Sequence, residues 1–344
     1  MREHRRVTPD QHERYSRQIR FEGIGERGQE RLLAASVAVV GCGALGSFQA
    51  AALARAGCGH IVLIDRDFVE TCNLQRQWLY DEADARDAMP KAVAAARHLA
   101  RINSCVRVTP YIADLTAENA ARLLEGVTLI LDGTDNFETR YLINDFAVAR
   151  GLPWVYGAAV GSYGLEMPIV PGTTACLNCV FPEIPAPGQP TCETAGIVNV
   201  ATSVVASLQV ADALKILCGQ PVKPRIATID VWSGELRQMS VPGPDAECRT
   251  CRHREFVHLN RPHRAPVTLC GRNAVQIHDH PGAVDLEDLG RRLAAAGNVR
   301  ANQFALRLSV PPYELTVFTD GRAIVKGTSD TALARSLYAR YIGS

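Results

Sequence analysis

The chain has little net charge. Its 344 residues carry 37 Lys and Arg against 36 Asp and Glu, a formal charge of +1. That balance lacks the basic footprint of a nucleic-acid binder. An apolar leader is also missing: the start, MREHRRVTPD, is too polar for a secretory signal, which predicts a cytoplasmic protein. No apolar run of membrane length goes uninterrupted. The longest, Ile197 to Leu217, contains Asn199, Gln209 and Asp212, and predicts a buried core helix. Internal repeats and low-complexity tracts are absent. Eleven cysteines, an odd number without an export signal, argue against a disulfide framework. What remains is 47% apolar, ordinary for one large or two modest globular domains.

Alternation organises the first half. Ser36 to Val40 is apolar, a glycine-rich turn follows, an Ala-rich helical pattern runs to Gly57, and His60 to Asp65 is apolar again. This is a βαβ unit. Helical patterns at Lys91 to Ile102, Ala117 to Leu124 and 137 to 149 alternate with strands at Val106 to Ile112, Val127 to Leu131 and Trp154 to Ala159. Such alternation predicts a Rossmann-like, doubly wound, mainly parallel α/β sheet. Leu165 to Val170 and Arg225 to Ser240 extend it as antiparallel strands. Residues 258 to 266 form a basic linker, and 267 to 344 a small α+β domain in the order β-α-β-β-β-α.

Five constellations carry candidate chemistry. Gly41, Gly43 and Gly46 supply a tight turn, a close backbone approach and a helix–strand contact, the pattern of a nucleotide site. Asp65, ending the next strand, can accept from ribose hydroxyls. Asn73 and Arg76 in Asn73-Leu74-Gln75-Arg76-Gln77, with Lys91 opening a helix, offer polar and cationic groups for a triphosphate; singly, Arg76 and Lys91 are also ordinary surface cations. Asp135, in Asp132-x-x-Asp135-Asn136, can hold Mg²⁺ at the strand-end rim; equally, Asp132 or Asp135 can cap the next helix. Cys176-x-x-Cys179 and Cys248-x-x-Cys251 have the spacing of a closed Cys₄ structural zinc site. A redox motif fits less well, because neither pair opens a helix after a strand. Cys192, before a helix, is either a nucleophile toward an activated acyl group or an inert thiol.

In this order, from Arg14-Tyr15-Ser16-Arg17-Gln18-Ile19 through both cysteine pairs, these residues resemble the MoeB/ThiF/HesA family, bacterial relatives of ubiquitin-activating enzymes. The resemblance spans about residues 14 to 252. It implies an adenylyltransferase domain over 1–257, a homodimer, and MgATP as cosubstrate. It also implies a β-grasp sulfur-carrier protein ending in Gly-Gly, whose terminal carboxylate is adenylylated with release of pyrophosphate, and a sulfur donor downstream. Gly41, Gly43 and Gly46 then line the nucleotide, Asp65 holds the ribose, and Asn73, Arg76 and Lys91 meet phosphates. Asp135 binds Mg²⁺, and Arg17 reaches the partner subunit's triphosphate. The acyl-adenylate passes to sulfur, in some relatives with help from the cysteine matching Cys192.

The tail departs from relatives that end in a rhodanese domain. About 78 residues with one cysteine, Cys270, are short for a rhodanese, and the end, Tyr341-Ile342-Gly343-Ser344, lacks a terminal Gly-Gly. An accessory domain is expected there. Two other functions share parts of the pattern. A tRNA-modifying dehydratase of the same superfamily would use the basic linker with Arg252, Arg254, Arg261 and Arg264. An NAD-dependent oxidoreductase would use the glycine loop.

Overall fold

The computed structural model describes residues 7–184, 194–260, 267–269, 273–277 and 283–343. Two compact units divide the chain, Met1–Arg261 and Pro262–Ser344. The first opens with helices α1 (Pro9–Ile19) and α2 (Gly25–Ala34). Thr8 starts α1 in a capping box with Gln11, which satisfies two backbone donors reciprocally. Then come β1 (Ser36–Val40), α3 (Ala44–Ala56) and β2 (His60–Ile64). A 3₁₀ turn (Thr71–Asn73) and the short α4 (Glu82–Arg86) lead to α5 (Lys91–Ile102) and β3 (Arg107–Tyr111). The alternation continues through α6 (Ala120–Leu123), β4 (Leu129–Asp132), α7 (Phe137–Arg150) and β5 (Trp154–Val160). It gives way to β6 (Tyr163–Ile169), α8 (Leu177–Val180), α9 (Asn199–Leu217), β7 (Arg225–Asp230) and β8 (Glu235–Ser240).

One sheet of eight strands runs β3-β2-β1-β4-β5-β6-β7-β8. The first five strands are parallel, and β6, β7 and β8 are antiparallel. β1, β2 and β4 are buried almost throughout, as a sheet covered on both faces requires. The strand order turns back between β1 and β4. In open α/β sheets ligands bind at such a switch point, beyond the carboxyl ends of the strands. The loops after β1, β2 and β4 therefore define the rim that matters.

Helix α9 is long and apolar enough to cross a membrane by length and composition. Here it packs on α3, β5 and β6. Two of its polar interruptions are used internally. Gln209 donates to the carbonyls of Asp132 and Val155 at 2.8 and 3.1 Å, and Asp212 pairs with Arg225 at 2.8 Å.

The second unit differs from the expected order by two strands. Its sequence is β9 (Val267–Leu269), β10 (Ala274–Ile277), α10 (Leu286–Leu293), β11 (Asn298–Ala301), β12 (Ala305–Val310), β13 (Tyr313–Phe318), β14 (Ala323–Lys326) and α11 (Thr331–Tyr341). The six strands form an antiparallel sheet, β11-β12-β13-β14-β10-β9. Pro311-Pro312 and Asp320-Gly321 both sit in hairpin loops, as their turn chemistry suggests. Leu306, Leu308, Leu315, Val317, Val325 and Leu289 belong to its own buried core.

Candidate functional site

The rim begins at Gly41, whose φ of 85° puts it in the left-handed region. A side chain there would also stand 2.6 Å from the Gly133 carbonyl oxygen. The loops after β1 and β4 thus touch through backbone alone. A Cβ on Gly46 would collide with the Gly41 carbonyl oxygen and press on Val39. Gly43 is the N-cap of α3, and no side chain caps that helix end. Its first-turn N–H groups are left to a ligand or to solvent, and the helix dipole favours an anion there.

Asp65 closes the next loop. Its carboxylate accepts from the Cys42 and Asp67 N–H groups, both at 2.6 Å. Burial pushes its carboxyl above the usual range, and Lys91 pulls it back. Lys91 is 5% exposed and reaches Asp67 Oδ2 at 3.3 Å. Asp67 does more: its carbonyl accepts from the Lys91 N–H at 2.8 Å. It therefore clamps the aspartate at the end of β2 to the lysine that opens α5. Asp67 is a site residue that the motifs did not mark, although the Asp65-x-Asp67 spacing at a strand end could have suggested it. Arg66 is occupied by Asp114 at 2.9 Å and Asp67 at 3.6 Å.

The segment from 71 to 80 lies against this loop. Tyr80 donates from its hydroxyl to the Cys42 carbonyl at 2.7 Å and the Lys91 carbonyl at 3.2 Å. Asn73 is buried, and its Oδ1 accepts from the Glu70 N–H at 3.3 Å. Arg76 is half-buried, with Nη1 donating to the Cys72 carbonyl at 2.9 Å. The glycine loop, Asp65, Asn73, Arg76 and Lys91 thus share one neighbourhood, joined by Tyr80 and Asp67.

After β4 the two aspartates separate. Asp132 is fully buried, and its carboxylate accepts from Thr134 N–H (2.9 Å), Thr134 hydroxyl (2.7 Å) and Arg140 Nε (3.2 Å). Burial raises its pKa, while Arg140 lowers it. It is consumed as an anchor. Asp135 is exposed on the same rim. Neither caps α7. Asn136 does, accepting from the Thr139 N–H at 2.8 Å, which corrects the capping alternative. Arg17 is exposed on α1. Cys192 and Cys270 lie outside the described residues.

The four cysteines converge. Cys176–Cys248 and Cys176–Cys179 sulfurs are 3.6 Å apart, and Cys179–Cys251 are 3.4 Å apart. All four sulfurs lie within 4.8 Å of one another. A tetrahedron with Zn–S bonds of about 2.3 Å has edges of about 3.8 Å, so the set fits zinc. Cys176 is the N-cap of α8, so that pair does open a short helix, contrary to expectation. The second pair facing it argues for metal over redox chemistry. Hydrogen bonding from Cys176 draws the Cys179 thiol down to about 5, while burial lifts Cys251 to about 12. Four thiolates together need a cation. The Asp245 N–H already points at Cys179 Sγ (3.5 Å) and Asn144 Nδ2 at Cys176 Sγ (3.8 Å), the outer hydrogen bonds typical of such sites.

A doubly wound sheet with a glycine turn and a strand-end acid beside a buried lysine has the form of a nucleotide-binding α/β protein. Comparison with known proteins narrows this. The ThiF family matches residues 15–250. The chain is 44% identical over 334 residues to the sulfur carrier protein ThiS adenylyltransferase of Bacillus subtilis, covering 96% of this chain and 99% of that one. It is 40% identical over 244 residues to the sulfur carrier protein adenylyltransferase of Thermus thermophilus, covering 69% and 89%. Among solved structures, Escherichia coli MccB with MccA-N7isoASN aligns with a TM-score of 0.63 at 22% identity, over 72% of this chain and 76% of that one, a likeness of fold. The chain belongs to the ThiF family.

Proposed function

We propose that this protein adenylylates the C-terminal carboxylate of a ubiquitin-like sulfur-carrier protein with ATP, releasing pyrophosphate. The chain is an adenylyltransferase of cofactor biosynthesis. The observation that carries the substrate class is the 44% identity to a ThiS adenylyltransferase across 96% of the chain, second unit included.

The rim suits this chemistry. The triphosphate lies over the uncapped first turn of α3, where backbone N–H groups and the helix dipole receive it. Asp65 takes the ribose diol. Arg66, already held by Asp114 and Asp67, is not poised for a 2′-phosphate, which favours ATP over NADP. Lys91 and Arg76 neutralise phosphate charge, and Asn73 orients it. Asp135 would hold Mg²⁺, whose charge would offset that of the phosphates. The carrier's carboxylate attacks the α-phosphorus, the P–O bond to the β-phosphate breaks, and pyrophosphate leaves. Both reactants arrive with their own nucleophile and leaving group. The protein supplies alignment and charge neutralisation. A homodimer places Arg17 of one protomer at the other's triphosphate. Reduced cysteines around zinc fit a cytoplasmic location. Cys192 takes part, if at all, in the later sulfur transfer.

ATP–pyrophosphate exchange with Mg²⁺ and a panel of β-grasp proteins ending in Gly-Gly tests the proposal. Exchange that requires one carrier, and is lost when its last glycine is removed, is expected. No exchange with any carrier overturns it.

A further inference from the structure

Tyr80 ties together two backbone segments, and they do not depend on it equally. The side chain is buried, and its hydroxyl donates to the Cys42 carbonyl at 2.7 Å, with the Lys91 carbonyl sharing the proton at 3.2 Å. Burial pushes the phenol well above its usual pKa, so it stays a donor. Lys91 opens α5, and its carbonyl also accepts within the helix. Cys42 lies ahead of α3, outside any ladder. Among the described residues, the Tyr80 hydroxyl is the one partner of its carbonyl.

The same peptide unit carries the Gly43 N–H. In a trans peptide the C=O and N–H point in opposite directions. A carbonyl drawn to Tyr80 therefore turns the Gly43 N–H away from the tyrosine, and no group among the described residues accepts from it. Little else fixes that plane. Gly43 has a φ of −79°, and glycine takes either sign of φ at no steric cost. Chain neighbours aside, a Cβ on it would meet only Gln77 Nε2, at 3.9 Å, so packing does not hold the peptide. The preceding peptide is pinned, because the Cys42 N–H donates to Asp65 at 2.6 Å. One hydroxyl thus selects between two orientations, with N–H or with carbonyl facing away from Tyr80.

We infer that Tyr80 is a positioning residue of the adenylylation: its hydroxyl locks the Cys42–Gly43 peptide in the orientation that offers an N–H, and withholds a carbonyl, from the nucleotide's phosphates. This rests on the proposed function. Tyr80 itself touches no substrate atom. Without the hydroxyl the peptide turns over in part of the molecules, and an oxygen then faces the phosphate oxygens where a donor would have received them. With it, the donor is set before nucleotide arrives, and no reorganisation is needed on binding.

The test uses the full-length protein and calorimetry with two ligands: a non-hydrolysable ATP analogue with Mg²⁺, and adenosine, which has the base and ribose without phosphate. Tyr80→Phe keeps the ring and removes the donor. Its analogue Kd should weaken about 10- to 100-fold, the range of a hydrogen bond to a charged group, while adenosine stays within twofold of wild type. Analogue binding within twofold of wild type overturns the inference. So does an equal loss for both ligands, which marks a merely structural tyrosine. Should Tyr80→Phe fail to fold, the wild-type protein still decides. Its Gly43 amide resonance, resolved by ¹³C-cysteine and ¹⁵N-glycine labelling, should move with the analogue and not with adenosine, and an unmoved resonance is equally fatal. Wild-type protein that binds no analogue at all would sink the proposed function instead.

Discussion

Glu166 makes the stability of this protein depend on pH in a direction unusual for a carboxylate. It sits on β6 with no exposure, and Arg225 donates to one of its oxygens. Asp212 faces it from α9 and shares Arg225, at 2.8 Å, while Lys215 pairs with Asp212 at 2.9 Å. One guanidinium therefore serves two buried carboxylates. The other Glu166 oxygen, Oε1, finds no partner among the described residues. Burial, and then the charge of Asp212, lift Glu166 from 4.5 to about 7. The folded state thus holds a proton that the unfolded chain has released between those values. The contribution of Glu166 is fullest below about pH 4.5 and falls as pH rises through about 7, by about 3 kcal/mol at 1.36 kcal/mol per unit. Gln at this position mimics the protonated acid at every pH. In urea denaturation of wild type and Glu166→Gln, the difference between the two should shift by roughly 2.5 kcal/mol in favour of the variant from pH 5 to pH 8. Taking the difference removes every other titrating group. Parallel curves across that range would show that Arg225 keeps Glu166 ionised, and would refute the reasoning.

Other perturbations separate anchors from site residues. Asp132→Ala strands the buried Arg140 and should cost roughly 3–5 kcal/mol in chemical denaturation; a loss under about 1 kcal/mol would mean that Arg140 finds solvent. Arg76→Ala and Asp135→Ala should abolish ATP–pyrophosphate exchange with a melting temperature within a few degrees of wild type, and near-normal exchange by either would remove it from the site. Cys176→Ser should lose bound zinc, measured by elemental analysis, and melt earlier, because structural zinc contributes directly to folding free energy; unchanged zinc content would count against the Cys₄ assignment.

Backbone logic was legible in the sequence because it is local. A glycine between an apolar strand and an Ala-rich helix marks a turn that L side chains resist, and Gly41 duly has a φ of 85°. The paired cysteines announce a tetrahedral site by spacing alone. Division of labour between neighbouring polar residues was not legible. Asp132, Asp135 and Asn136 all have the chemistry to cap α7, and only the fold shows Asp132 spent on Arg140 and Asn136 on the cap. Asp67 and Tyr80 escaped notice for the same reason: each works by joining two loops distant in sequence. The second unit hid two strands, because short edge strands such as Val267–Leu269 carry too little pattern to count.

The charges at the rim are arranged so that the proposed polyanion site can coexist with two acids. Asp65 and Asp67 would repel a triphosphate if their carboxylates faced it freely. Asp65 is instead turned onto the Cys42 and Asp67 N–H groups, and Asp67 onto Lys91. Lys91 is nearly enclosed, so a lone ammonium there would be costly, and Asp67 lowers that cost before nucleotide arrives. In the proposed site, nucleotide binding would be an exchange or sharing of partners at Lys91, with no further protein charge to desolvate. The chain's own residues keep the cation in place between turnovers. This is what a reaction without a side-chain nucleophile needs, since its rate depends on groups being aligned before the carboxylate enters.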